Sequence, residues 1–278
     1  MSRPILTLTS DFGRDGPYVA AMKGVALGLV PDVQIVDVSH SIAPQNVLEG
    51  AFVLAGLADS FPSGTVHLAV VDPGVGTERR LLAVSVADQW FVAPDNGLLS
   101  GVVRGREVVG IWEITNQALW RSRVSSTFHG RDIMAPSAAH LMLGRCPDEL
   151  GPRRQKLISL ANFEPRVDDH GIVGEVIYRD AFGNLITNVA ASRLTESTAS
   201  SWSIEIAGET IEGVIRTYGE KPPGTVVAVA GSSGWIEIAV VNGDAARSLI
   251  AGPGMTVWFR RKIVRSGYRG SIPALAGV

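Results

Sequence analysis

The feature that most constrains the fold is a change of rhythm near residue 150. Before it, short apolar runs alternate with stretches of helical spacing; after about residue 170 the strand signals continue and the helical spacing almost vanishes. Ile5–Thr9, Val33–Val38, Val66–Val71, Leu81–Val86, Trp90–Ala93 and Val108–Ile114 read as strands. Val66–Val71 is nearly continuous in apolar residues, the pattern of a strand buried on both faces. Between the runs, Tyr18, Ala21, Met22 and Val25 follow the i, i+3, i+4, i+7 spacing of a helix, and Leu48, Ala51, Phe52 and Ala55 repeat it. A further helix is expected to begin near Pro136, a residue favoured in the first turn, and to run through Leu143 to Gly144. This predicts an N-terminal α/β/α layered domain over residues 1–160 with a mostly parallel or mixed sheet.

After a polar stretch at 152–170 that reads as a linker, seven runs remain. They are Ile172–Tyr178, Leu185–Val189, Trp202–Ile206, Thr210–Ile215, Val226–Ala230, Trp235–Val241 and Met255–Arg260. Turn signals such as Phe182-Gly183-Asn184 and Gly231-Ser232-Ser233-Gly234 separate them. They predict a C-terminal antiparallel, barrel-like β domain over 171–278, with one short helix from Asp244 to Ile250 capped by Asp244.

Charge and cysteine content narrow the function. Lys+Arg 25 against Asp+Glu 27 leaves a net charge of −2, which argues against a dedicated nucleic-acid binder. The single cysteine, Cys146, excludes an internal disulfide and a multi-cysteine zinc site, and fits a reducing compartment. The first residues lack the apolar core of a signal peptide, and no run approaches the roughly 18 apolar residues of a membrane span. A cytoplasmic protein without membrane partners is expected.

In an open α/β sheet, ligands bind beyond the carboxyl ends of the strands. The loop Thr9-Ser10-Asp11-Phe12-Gly13 stands at such an end; Asp11 there can accept both hydroxyls of a ribose, or simply cap the following helix. In Asp72-Pro73-Gly74-Val75-Gly76-Thr77-Glu78-Arg79, the tight turn can return Arg79 to Asp72 and keep the carboxylate ionised; a solvated turn explains it equally well. No Lys-Ser/Thr ending follows, so the glycines do not read as a phosphate cradle. The third loop carries Thr127, His129 and Gly130, and the fourth is Ala93-Pro94-Asp95-Asn96-Gly97, in itself a turn. Among the remaining histidines, His40 reads as a turn residue, His67 and His140 as structural, and His170 as exposed. In the β domain, Asp180 and Asn184 lie on one strand connection, and Ser232, Ser233 and Glu237 suit an amino-acid zwitterion, although hairpin chemistry also accounts for them.

Taken in order, TSDFG at 9–13, MKG at 22–24, DVSHSI at 37–42, VDPGVGTER at 71–79, APDNG at 93–97, FHGRD at 128–132, DAFGNLITN at 180–188 and GSSGWIEIAV at 231–240 resemble one family. It is the SAM hydroxide adenosyltransferases, S-adenosyl-L-methionine hydrolases that form adenosine and methionine. They are related to fluorinating and chlorinating enzymes that attack the same carbon with halide. The resemblance implies that Asp72, Arg79 and His129 position water and that Asp11 binds the ribose. It puts Thr127 and Gly130 at the nucleophile pocket, and Asp180, Asn184, Ser232, Ser233 and Glu237 on the substrate. It implies no cofactor or metal, and a homotrimer with sites between subunits. Asp15 stands one place earlier than the family pattern, which puts a direct contact from it in doubt. The halogenating relatives lack the Asp–Arg–His set, so its presence favours water over halide. Two alternatives remain: a halide-dependent substitution on the same substrate, and a non-catalytic adenosine or S-adenosylmethionine binding protein.

Overall fold

The computed structural model describes residues 3–194 and 201–262. They fall into two compact units, divided between Phe163 and Glu164.

The first unit is built on a seven-stranded mixed sheet in the order β2-β1-β3-β5-β4-β6-β7. Its strands are β1 (Ile5–Ser10), β2 (Gln34–Ser39), β3 (Val66–Val70), β4 (Leu81–Val86), β5 (Gln89–Pro94), β6 (Val108–Glu113) and the two-residue β7 (Arg153–Arg154). The helices are α1 (Pro17–Leu29), α2 (Val47–Ala55), α3 (Ser100–Val103) and α4 (Ala135–Met142). Alternation along the strands explains the layers. Leu6, Leu8, Val66, Leu68 and Val70 pack with Met22 and Ala26 of α1 and Ala135 and Ala138 of α4. Ala69, Val71, Leu82 and Val84 pack with Leu54 of α2 and Val102 of α3 on the other face. Both faces are thus sealed by helices, and every residue of β3 is buried. Burying each of these leucines contributes about 1.5–3 kcal/mol.

β1, β2, β3 and β5 run parallel, whereas β4 is antiparallel to β5. The reversal matters for the site. β3 ends on the carboxyl edge of the parallel strands, and β4, running the other way, begins there. The connection between them therefore never leaves that edge.

One buried polar set lies within the sheet. His67 Nδ1 is 2.7 Å from Thr7 Oγ1, its Nε2 is 2.9 Å from Gln89 Oε1, and its ring stacks on Phe91 at 4.4 Å. Gln89 in turn donates to the carbonyls of Ala58 and Phe61, so the set is satisfied internally. Burial pushes the His67 pKa down to about 4, against the partial support of the Gln89 hydrogen bond.

The second unit is an eight-stranded antiparallel sheet in the order β12-β11-β15-β9-β10-β14-β13, with β8 paired to β9. Its strands are β8 (Arg166–Asp168), β9 (Gly171–Arg179), β10 (Leu185–Ala190), β11 (Trp202–Ile206), β12 (Glu209–Glu212), β13 (Val226–Ala230), β14 (Trp235–Val240) and β15 (Thr256–Arg261). The sheet nearly closes, because Ile215, just past β12, bridges Val229 of β13. Its interior is filled by Val176, Leu185, Ile204, Ile236, Ile238 and Phe259. The helix α5 (Ala245–Ser248) is capped as expected, with the Asp244 side chain accepting from Arg247 N–H.

Three expectations are corrected. The helix expected to start near Pro136 is continuous with a π-turn over Gly130–Met134, so the helical path begins six residues earlier than Pro136. The strand expected over Thr210–Ile215 ends at Glu212, because Gly213 turns the chain with φ 77°. The stretch 152–170 is not only a linker, since it supplies β7 to one sheet and β8 to the other.

Candidate active site

The connection after β3 is a folded turn. Asp72 C=O accepts from Val75 N–H, and Gly74 C=O accepts from Thr77 N–H and from the Thr77 hydroxyl. Gly76 has φ 79°, and a Cβ there would stand 2.4 Å from the Ser126 carbonyl oxygen; only glycine allows the two loops to approach this closely. The turn brings Arg79 back to Asp72. Arg79 Nε lies 3.0 Å from each Asp72 oxygen, and Nη2 donates to Oδ2 at 2.6 Å. The same Nη2 donates to His129 Nδ1 at 2.9 Å. Asp72 and Arg79 side chains are only 5% and 11% exposed, so the pair is largely screened from bulk solvent.

The Arg79 contact decides the state of His129. A guanidinium only donates, so Nδ1 must be unprotonated and the ring proton must sit on Nε2. Burial and then the Arg79 charge lower the His129 pKa, against the opposing pull of Asp72 and Asp132. His129 is therefore a neutral ring that presents an N–H.

The loop carrying it is anchored by Asp132, which is fully buried. Asp132 accepts from the side chains of Arg121 and Arg131 and from Ser125 N–H. This fixes the segment 121–132 on which Thr127 and His129 ride. The FHGRD string holds both Asp132 and its partner Arg131, but nothing local identifies Arg121, 11 positions earlier, as the second guanidinium.

Asp11 is not a helix cap; α1 starts after Gly16 without a side-chain cap. Its Oδ2 accepts from Gln45 N–H at 2.8 Å, and its Oδ1 accepts no hydrogen bond among the described residues. Asp11, Asp72, Thr127, His129 and Gly130 line one pocket of about 290 Å³, together with Phe12, Pro44, Gln45 and Val75. Arg79 supports this pocket without lining it. The loop with Asp95 lies apart: Asp95 pairs with Arg80 and accepts from Ile158 N–H.

In the second unit, Asp180, Asn184, Ser232 and Glu237 line a pocket of about 630 Å³. Ser233 is exposed beside it and is not part of its lining. Asp180 is committed to its own loop, accepting from the amides of Phe182 and Asn184 and from Asn184 Nδ2. Glu237 is buried and accepts from the Tyr218 hydroxyl at 2.9 Å. Burial raises the Glu237 pKa, the Tyr218 bond opposes this, and Asp180 adds to it. Burial and the Glu237 carboxylate push Tyr218 up to about 12. Tyr218 and Arg216 line this pocket but carry no signal in the sequence.

Among the described residues, no group of three His, Cys, Asp or Glu side chains is arranged to hold a metal. No helix among them is long and apolar enough to cross a membrane.

An α/β/α unit with a carboxylate–guanidinium–imidazole set at its sheet edge, followed by an antiparallel barrel-like unit, defines the class of protein. Residues 6–151 match the SAM hydroxide adenosyltransferase N-terminal domain, and residues 174–258 match the C-terminal domain of the same family. The chain belongs to the SAM hydroxide adenosyltransferase family. It is 39% identical to the (R)-S-adenosyl-L-methionine hydrolase of Thermus thermophilus over 264 residues, covering 92% of this chain and 98% of that protein. It is 32% identical to a fluorinase of Nocardia brasiliensis, covering 67% of this chain and 71% of that protein. A crystal structure of an uncharacterized conserved protein from Thermotoga maritima superposes with a TM-score of 0.85 at 35% identity, covering 92% of this chain and all of that one.

Proposed function

We propose that this protein hydrolyses S-adenosyl-L-methionine to adenosine and L-methionine by attack of water on C5′. The observation that carries the reading is the Arg79 guanidinium bridging the Asp72 carboxylate and His129 Nδ1 at the edge of the Asp11 pocket. Relatives named (R)-S-adenosyl-L-methionine hydrolase, 34–39% identical over about nine-tenths of the chain, support the substrate and the reaction.

The sulfonium is already a good leaving group, so the chemistry lies in aiming a nucleophile. His129 Nε2–H donates to the water oxygen, and Asp72 accepts one of its protons. As the O–C5′ bond forms, the C5′–S bond breaks, and its electron pair leaves on the methionine sulfur. The water proton passes to Asp72 and then to solvent. His129, neutral and already bonded at Nδ1, orients the water rather than deprotonating it. Alignment of this kind can supply about 7–11 kcal/mol in favourable cases. Asp11 accepts from the ribose hydroxyls, and Thr127 and Gly130 border the nucleophile. Ser232, Ser233 and Glu237 take the amino-acid end, on a loop framework shaped by Asp180 and Asn184. The active form is a homotrimer in which one copy's first unit and another copy's second unit share a substrate.

Reaction in oxygen-18 water tests the chemistry. The label belongs on the 5′ oxygen of adenosine, and formation of methylthioadenosine or S-adenosylhomocysteine would sink the reading. Asp72→Ala should abolish most turnover while substrate still binds.

A further inference from the structure

A second hydrogen-bonded relay runs from the surface to the Asp11 loop. We propose that His40 is a positioning residue for ribose recognition, acting through Ser10 to fix the Asp11–Phe12 peptide and so the aim of the Asp11 carboxylate. The inference rests on the reading of Asp11 as the acceptor of the ribose hydroxyls.

The relay has one consistent polarity. Lys23 Nζ donates to Asp37 Oδ2 at 2.6 Å, and His40 Nε2 lies 3.0 Å from Asp37 Oδ1. Although burial works against it, the bonds from Lys23 and His40 hold the Asp37 carboxyl below its ordinary range. An ionised carboxylate only accepts, so Nε2 carries the imidazole proton. In the neutral ring Nδ1 is then an acceptor, and Ser10 Oγ, 2.7 Å away, donates to it. With its hydrogen so directed, Ser10 Oγ turns its lone pairs toward Phe12 N–H at 3.4 Å. Ser10 is fully buried, so no water competes for this hydroxyl.

Two further ties connect the same segments. Gly13 N–H donates to the His40 carbonyl at 2.8 Å, and Gln45 N–H donates to Asp11 Oδ2 at 2.8 Å. An irregularity in β2 lies between Asp37 and His40. Residues three apart on a regular strand face opposite sides. Here Leu8 pairs with Asp37 but Thr9 with Ser39, so Val38 is an extra residue. That extra residue breaks the alternation between Asp37 and the end of β2 at Ser39, and His40 follows directly in a bend.

The test compares adenosine with 2′,3′-dideoxyadenosine by calorimetric titration of the wild-type, Asp11→Ala, His40→Ala and Ser10→Ala proteins. Wild type should prefer adenosine by about tenfold or more, the discrimination expected of hydrogen bonds to a carboxylate. Asp11→Ala should erase that preference. His40→Ala and Ser10→Ala should each cut it to about threefold or less while leaving dideoxyadenosine affinity within about twofold of wild type. Ser10→Ala removes a single oxygen and decides the matter should His40→Ala fail to fold. A wild type without preference, or an Asp11→Ala protein that keeps it, overturns the reading of Asp11 and the inference with it. Loss in Asp11→Ala with full preference retained in the relay variants overturns the inference alone. Equal weakening of both ligands in the relay variants also overturns it, because that marks general damage.

Discussion

Replacing Arg79 with lysine keeps the charge and removes the fork. Arg79 uses Nε for both Asp72 oxygens at 3.0 Å, and Nη2 for Asp72 Oδ2 at 2.6 Å and His129 Nδ1 at 2.9 Å. A lone ammonium can take the place of Nη2 but cannot occupy the place of Nε as well. Asp72 would keep one anchored oxygen and turn about its terminal torsion, carrying the bound water with it. A misplacement of about 1 Å at a nucleophile costs about 10²-fold in rate, which is about 2.7 kcal/mol of barrier. Arg79 does not line the pocket, so substrate affinity should barely change. In chromatographic assays of adenosine release, Arg79→Lys should lower kcat by about 10²-fold and leave KM within about threefold. A kcat within about threefold of wild type, or a loss carried by KM alone, would refute the idea that the fork aims the nucleophile.

Other outcomes follow from the same geometry. Asp11→Ala should weaken adenosine binding by about tenfold or more, at about 1.5–3 kcal/mol for hydrogen bonds to a charged group; unchanged affinity in a titration would return Asp11 to a turn role. His67 has its folded pKa depressed to about 4 from 6.5, so its neutral form favours the fold fully above pH 6.5. As pH falls from 6.5 toward 4, the unfolded chain takes up the proton first, and about 3 kcal/mol of stability should be lost. Urea unfolding across that range should show a flatter pH dependence for His67→Leu than for wild type, and parallel curves would contradict this. Mixing inactive Asp72→Ala and Glu237→Ala chains under subunit exchange should restore part of the activity if copies share sites, and no recovery would count against sharing.

The strand pattern is legible because it depends on near neighbours. Leu81–Val86, Trp202–Ile206 and Val226–Ala230 are found with the expected bounds, since alternation and turn residues mark both ends. The Asp72–Arg79 pair is legible for the same reason, as Pro73, Gly74 and Gly76 fold the short chain between them. What sequence hides is contact across the sheet order. His40 reads as a turn residue, yet its partner Ser10 lies 30 positions earlier on the neighbouring strand. The tautomer of His129 is set by Arg79, 50 positions away. Tyr218 meets Glu237 by barrel geometry, with no motif to announce it. The two-residue β7 and the bulge at Val38 are likewise products of pairing, which no local propensity encodes.

The π-turn over Gly130–Met134 has a consequence for how such a site can be gained or lost in heredity. A π-turn differs from an α-turn by one residue. Deleting a single codon within it would return the segment to ordinary helical register. Ala135 and Ala138 would keep α4 seated on the sheet, while everything upstream swung by about 100° around the helix axis. His129, the residue just before the turn, would leave Arg79, and the neighbouring core residue Phe128 would move with it. One in-frame indel there acts on the whole loop at once, separating His129 from Arg79 while the α4 residues Ala135 and Ala138 stay on the sheet.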